Sequence, residues 1–443
     1  MAVAIKTYYE KREALVVSDK DRQILRDLAK RARELADSPE MAARKQMWKD
    51  LHDLKPQRPM LIFDHFWIDG FLGDRELKCE NPVLRNVEQN LVYKLMQCEE
   101  FGDDAVLEPY FRIGWQGTNL HQTGTDFGEI KIVEDHAKEG GLAFKSVFPI
   151  KTPDDIKRMT PRTFSVDREP ALEMQEILQD CFGDYLPVLL GNFDNFCPDI
   201  GNQLFLGNYF LGVTWDVFKL IGAEAMMLWP YDHPDALQEL LRFLVEDKKR
   251  FFNYIIEQGI AISNTDSQFA GPTAYGYVSD LPQNKTEGVV LKDLWAWGES
   301  QETQMMSPGM FDEIYLPHIA ELANMFGLLY YGCCERVDNK FEYLTNRIHN
   351  IRSFSISGWS DVDAFTEKLG SNYVASKKPI PGLVSSPTAE WDKMKEEAEQ
   401  TWAACKRNNS PLEVIFRDVY AKTVTPDRAV KWIKIWKETI GIE

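Results

Sequence analysis

The sequence lacks the common nucleotide and metal signatures: no GxGxxG, no GxxxxGK[ST], no HExxH and no DxHxxG occurs in it. Glycine-rich loops let a backbone close around phosphate, and HExxH sets two imidazoles on one helix face. Their absence argues against a nucleotide-dependent enzyme and against a corrinoid bound within this chain. Seven cysteines, an odd number with no CxxC pair, fit reduced thiols better than a disulfide framework. No stretch approaches the ~20 apolar residues of a membrane helix. The opening "MAVAIKTYYEKREALVV" has no apolar core of signal-peptide length, so the expected location is cytoplasmic. Net positive charge is also lacking: 69 Asp and Glu against 51 Lys and Arg give a formal charge of −18, which argues against nonspecific binding to nucleic acid or acidic membranes. There is no Gly-Ser linker and no internal repeat.

What is present suits one large folded unit. Of 443 residues, 44% are hydrophobic and 12% aromatic, enough for a sizeable core. Residues 18–52 carry the spaced apolar and charged positions of amphipathic helices, which would cover one end of the fold. Apolar runs at 59–65, 105–113, 186–194, 261–268, 327–334, 351–357, 372–378 and 412–418 then alternate with helical patterns, notably at 234–258 and 307–326. Strand and helix in alternation predict an α/β fold, a single (β/α)8 TIM barrel over residues 55–443, with residues 1–54 as an N-terminal helical extension. Two inserts interrupt it: 123–149 reads as a hairpin, and the aromatic stretch 276–308 as a lid or wall over a pocket.

Reactive groups of such a barrel come from the C-terminal ends of its strands. The run "GLLYYGCCE" (327–335) ends on two adjacent thiols and a carboxylate. Cysteine is often only a small apolar packing residue. Successive side chains of a strand point to opposite faces, so Cys333 and Cys334 reach one pocket together only if the chain bends at Gly332. As metal ligands they need partners, since zinc takes three or four, and His65, Glu335 and Asp418 are the available ones. Asp64, His65, Asn192, Asp194, Glu108, Arg112, Asp266, Gln268, Ser357, Lys377 and Lys378 also fall at or near expected strand ends. Glu299 is either a pocket acid or a solvated loop carboxylate, and Trp295 and Trp297 either a substrate wall or the anchor of their loop. His52, His136 and His349 read as surface residues.

The segments "RPMLIFDHFW", "FGEIKIVEDHAKEGG…FPIKTPDDIKRM", "GAEAMMLWPYDHPDALQELL", "SPGMFDEIYLPHIAELANMFGLLYYGCCE" and "PDRAVKWIKIWKETIG" together resemble the uroporphyrinogen decarboxylase superfamily from about residue 55 onward. The resemblance implies a (β/α)8 barrel and one of two chemistries: porphyrinogen decarboxylation without a cofactor, or methyl transfer with a corrinoid (cobalamin) carried by a separate protein. The decarboxylases' "RQAGR" is replaced here by "DHFWIDG", which removes the cations a polycarboxylate substrate needs. The methylcobalamin:thiol methyltransferases hold zinc with HxC and a later cysteine. Here Tyr331, Gly332 and Cys333 stand at HxC, and "FRDVYAKTVTP" has no cysteine. The resemblance therefore implies O-demethylation: a methyl moves from a small O-methyl donor, such as a methoxylated aromatic, to the corrinoid protein. Glu335, Asp194, Tyr331 and Glu299 are the expected catalytic residues, and His65, Asp64, Trp295 and Asn192 the substrate-binding ones. Cys333 and Cys334 are the metal ligands of a zinc-assisted version. A homodimer is compatible with this reading.

Overall fold

The computed structural model describes residues 15–64, 72, 75–120, 123–136, 144–191, 209–418 and 424–442. Eight parallel strands are found among them: β1 (Met60–Phe63), β2 (Phe111–Gly114), β3 (Val188–Gly191), β4 (Trp295–Gly298), β5 (Leu328–Tyr331), β6 (Ile351–Ile356), β7 (Val374–Lys377) and β8 (Leu412–Phe416). Six form one all-parallel sheet in the order β1-β8-β7-β6-β5-β4, and β2 pairs with β3 separately. The fold is thus mixed α/β with helices between parallel strands. Strands β1, β5, β7 and β8 are buried at every position, as expected when both faces of a parallel sheet are covered.

The two faces separate cleanly by residue parity. Met60, Ile62, Tyr330, Val374 and Ile415 share one core with Trp48 and Leu51, while Leu61, Phe63, Tyr331, Phe354, Ala375, Val414 and Phe416 pack into another with the surrounding helices. Trp48, Leu51 and His52 come from the helix Pro39–His52, which starts on Ser38, whose hydroxyl accepts from Met41 N at 3.2 Å. This helix packs at the N-terminal end of the sheet, so residues 1–54 share a core with the rest where they are described. His52 is a correction to its expected surface position: it is 1% exposed, with Nδ1 3.0 Å from Tyr277 O. His349 is exposed as expected.

Two strand assignments also change. Residues 261–268 form no strand, and the aromatic stretch expected as a lid contributes β4 to the sheet. Asn264 stands beside β4 through its side chain, accepting from Trp295 N at 3.0 Å and donating to Trp295 O at 3.2 Å. Beyond β4 the ladder continues as a single parallel bridge from Trp297 to Phe210. At the other edge, Leu61 N and Phe63 N donate to the carboxylates of Asp104 (2.8 Å) and Asp103 (2.9 Å). Side chains stand there where a neighbouring strand's carbonyls would, and burial pushes the Asp103 carboxyl up to about 6. The expected hairpin in 123–149 is present, with Val133–His136 antiparallel to Phe144–Val147.

Candidate active site

The C-terminal ends of β5 and β8 meet around the paired cysteines. Gly332 takes φ +103°, the bend required for both thiols to reach one place, and their sulfurs lie 3.6 Å apart. A Cβ at Gly332 would come within 2.8 Å of Ser355 Cβ and 2.9 Å of Val337 Cγ2, besides being strained at that φ. Gly332→Ala is therefore expected to lose about 1–3 kcal/mol, read as a lowered denaturation midpoint with an unchanged m-value.

Cys333 is buried and Cys334 exposed. Their shared contact and burial push the Cys333 thiol up, and the same contact brings the Cys334 thiol down, so the exposed sulfur loses its proton first. Cys334 Sγ also lies 3.4 Å from Asp418 Oδ2. Arg417 Nε stands 3.4 Å from Asp418 Oδ1 and 3.6 Å from Asp64 Oδ2, which completes the charges at this end of β8 and β1. From β7, the buried Lys378 donates to Tyr330 Oη (2.7 Å) and Ser355 Oγ (2.5 Å), and Ser355 Oγ donates to Cys333 O at 2.6 Å. Lys377, of opposite parity, pairs instead with Glu397 at 2.9 Å.

A second cluster lies beside the first, at the C-terminal ends of β4 and β5. Glu335 accepts from Ser300 N (2.9 Å) and Cys333 N (2.8 Å), which ties the two strand ends together and spends both of its oxygens. Tyr331 Oη donates to Ser300 Oγ at 2.9 Å, and Lys340 Nζ reaches Ser300 Oγ (3.2 Å) and Thr303 Oγ1 (2.9 Å). Glu302 accepts from Thr214 Oγ1 at 2.7 Å. Glu299 accepts from Gln301 N at 2.8 Å through Oε2, while its Oε1 is buried with no hydrogen-bond partner among the described residues. Burial first, then the charges of Glu302 and Glu335, hold the Glu299 carboxyl well above the usual carboxylate range. Burial also raises Glu302, brings Lys340 down to about 8 and raises the Tyr331 hydroxyl. Three carboxyls face one ammonium, and their mutual repulsion favours keeping a proton within the cluster.

His65, Asn192 and Asp194 lie outside the described residues. Of the others, Glu299, Tyr331, Cys333, Cys334, Glu335 and Asp64 are brought to the C-terminal ends of β1, β4 and β5. Trp295 begins β4, about 13 Å of extended chain from Glu299. It is fully buried with Ala270, Val278, Leu281 and Leu328, and its indole donates to Gly276 O at 2.9 Å. Glu108, Arg112 and Asp266 form a separate buried network with Tyr110, Tyr277 and Lys45. Lys340, Glu302 and Ser300 were not singled out in the sequence, where nothing but their closeness to "WAWGE" and "GCCE" marks them. Arg417 follows β8 directly, and that position was the available signal.

The described donors do not make a zinc site. Among the described residues no group of three or more His, Cys, Asp and Glu could hold a metal ion. Glu335, one of the expected further ligands, is committed to backbone donors, and Asp418 faces Arg417.

The site is that of an α/β protein whose buried acids and thiols stand at parallel strand ends. No family profile matches the chain, and no curated protein matches it. Among solved structures it is similar to a methyltransferase from Methanosarcina mazei, at 12% identity and a TM-score of 0.47, over 89% of this chain and 98% of that one.

Proposed function

We propose that this protein is a methyltransferase on a (β/α)8 barrel that removes a methyl group from an O-methyl donor and passes it to a corrinoid carried by a separate protein. The observation that supports it is Glu299: a buried carboxyl, whose burial favours the acid form, with one oxygen free of hydrogen-bond partners among the described residues at a strand end. An ether oxygen is a poor leaving group unless a proton meets its developing charge. The partner's reduced corrinoid supplies the nucleophile that accepts the methyl. The chain's own part is to place the donor and to protonate the oxygen as the methyl carbon–oxygen bond breaks.

Within that reading Glu299 is the acid, ahead of Glu335, whose oxygens already hold the ends of β4 and β5. Glu302 and Glu335 act through Glu299 by keeping its proton in place, and Lys340 limits the negative charge of the cluster. Tyr331 orients Ser300. Asp194 keeps its proposed catalytic place and Asn192 and His65 theirs in donor binding, and Cys333 with Cys334 lies at the end of β5.

The purified protein mixed with a reduced corrinoid protein and methoxyaromatic donors is expected to give methylcobalamin absorbance, with one demethylated product per methyl transferred. No turnover across methoxyaromatics, methylamines and methyl thiols would remove the proposal. Carbon dioxide release from a carboxylated donor without any corrinoid would replace it with the decarboxylase reading.

A further inference from the structure

We propose that Arg417, assisted by Lys378, anchors an anionic group of the substrate, so that the methyl donor is a methoxylated aromatic carboxylate; this rests on the methyl-transfer reading above. Arg417 Nε and Nη1 are buried and make no hydrogen bond among the described residues. Its carboxylate neighbours, at 3.4 Å and 3.6 Å from Nε, attract the charge without making well-formed hydrogen bonds to it. Buried guanidinium donors without acceptors are costly, and an acceptor supplied by a ligand removes that cost.

Lys378 adds a second cation on the same side. Its ammonium spends two of three donors on the neutral oxygens of Tyr330 and Ser355, and among the described residues no carboxylate pairs with it directly. Burial lowers it to about 8, which leaves it mostly charged at neutral pH. Arg417 and Lys378 both interact with Cys333 and Cys334, of which Cys334 is exposed to solvent. A carboxylate would accept from the guanidinium and from the remaining ammonium proton together.

The surroundings suit an aromatic ring attached to that anion. Trp297 lies against Phe210, with ring centroids 4.2 Å apart, and its indole donates to Gly332 O at 3.0 Å, next to Cys333. Trp297 is also two residues before Glu299, so along β4 one strand end carries both an aromatic face and the buried acid. The chain's formal charge of −18 would otherwise repel an anionic donor, so its capture needs local cations of this kind.

Isothermal titration of the full chain with 4-methoxybenzoate and with the neutral 4-methoxybenzamide tests the site. The benzoate is expected to bind about 10- to 100-fold more tightly. Arg417→Gln should erase that preference, Arg417→Lys should keep part of it, and Lys378→Met should reduce it less. Equal binding of both compounds to the native chain, binding of neither, or an undiminished preference in a folded Arg417→Gln variant overturns the proposal. If circular dichroism shows that variant unfolded, the native comparison and Arg417→Lys decide. Charge-selective, Arg417-dependent binding without methyl transfer would keep this site and remove the transfer reading. Transfer from neutral methoxybenzenes, with no preference for the benzoate, would do the reverse.

Discussion

Glu299→Gln is expected to lower methyl transfer by about 10²- to 10⁴-fold, the range that a positioned general acid contributes, with the fold retained. Glutamine keeps the carbonyl that accepts from Gln301 N but has no acidic proton to give. Glu299 is 2% exposed and its carboxyl is raised by burial and by Glu302 and Glu335, so the acid form is the active one. The rate of the native enzyme should therefore be level below that raised pKa and fall as pH climbs through it. Stability carries the same sign. A carboxyl whose folded pKa lies above its unfolded value contributes fully below the unfolded value and loses that contribution as pH rises through the folded one. Since glutamine cannot ionise, the variant should outlast the native chain at alkaline pH while remaining inactive. Denaturation midpoints at pH 6 and pH 9, beside a pH–rate profile, check both parts. A variant within a few-fold of native activity at every pH would show that Glu299 donates no proton in the reaction.

That residue also illustrates how far the sequence could be read. Six of the eight parallel strands lie within runs legible from their apolar, β-branched and aromatic content, because buried parallel strands leave that signature, and a seventh, Phe111–Gly114, overlaps only the end of its run at 105–113. The eighth, "WAWG", is four residues long inside an aromatic loop, and its neighbour 261–268 looked more like a strand than it did. Their roles are exchanged because Asn264 meets the backbone of Trp295 with its side chain, a substitution for ladder bonds that no periodicity reports. Once "WAWG" is a strand, Glu299 is no longer a loop carboxylate but a strand-end acid.

The same limits apply at the paired thiols. The need for a bend at Gly332 follows from strand alternation, and the bend is there. The fate of Glu335 was not legible, because its partners Ser300 N and Cys333 N are brought to it by the neighbouring strand and by the bend itself. His52 was misjudged for a simpler reason. It sits among charged residues, yet Met41, Trp48, Leu51 and His52 share the buried positions of one helix.

The largest loss of stability is expected from Lys248→Met, about 3–5 kcal/mol, the range for removing one partner of a buried ion pair. Lys248 and Asp216 lie 2.8 Å apart with side chains 1% and 2% exposed, and they join the helices Pro234–Glu257 and Val213–Asp232. Arg162 and Asp247 form an adjoining buried pair at 2.6 Å. Burial outweighs the mutual attraction: it lowers the Lys248 ammonium and raises the Asp216 carboxyl, each toward its neutral form. Removing the lysine leaves a carboxyl that must take up a proton to stay folded. Its folded pKa lies above the unfolded one, so the Lys248→Met protein should weaken as pH rises. Asp216→Asn leaves the opposite problem, an ammonium with a depressed folded pKa, and should weaken as pH falls. Opposite pH slopes of the two single variants, measured by denaturant unfolding, would identify desolvation as the dominant cost. The double variant, which buries no unpaired charge at this position, should recover much of the loss. Parallel slopes, or a double variant no better than either single one, would mean that packing rather than charge sets the stability of this helix pair.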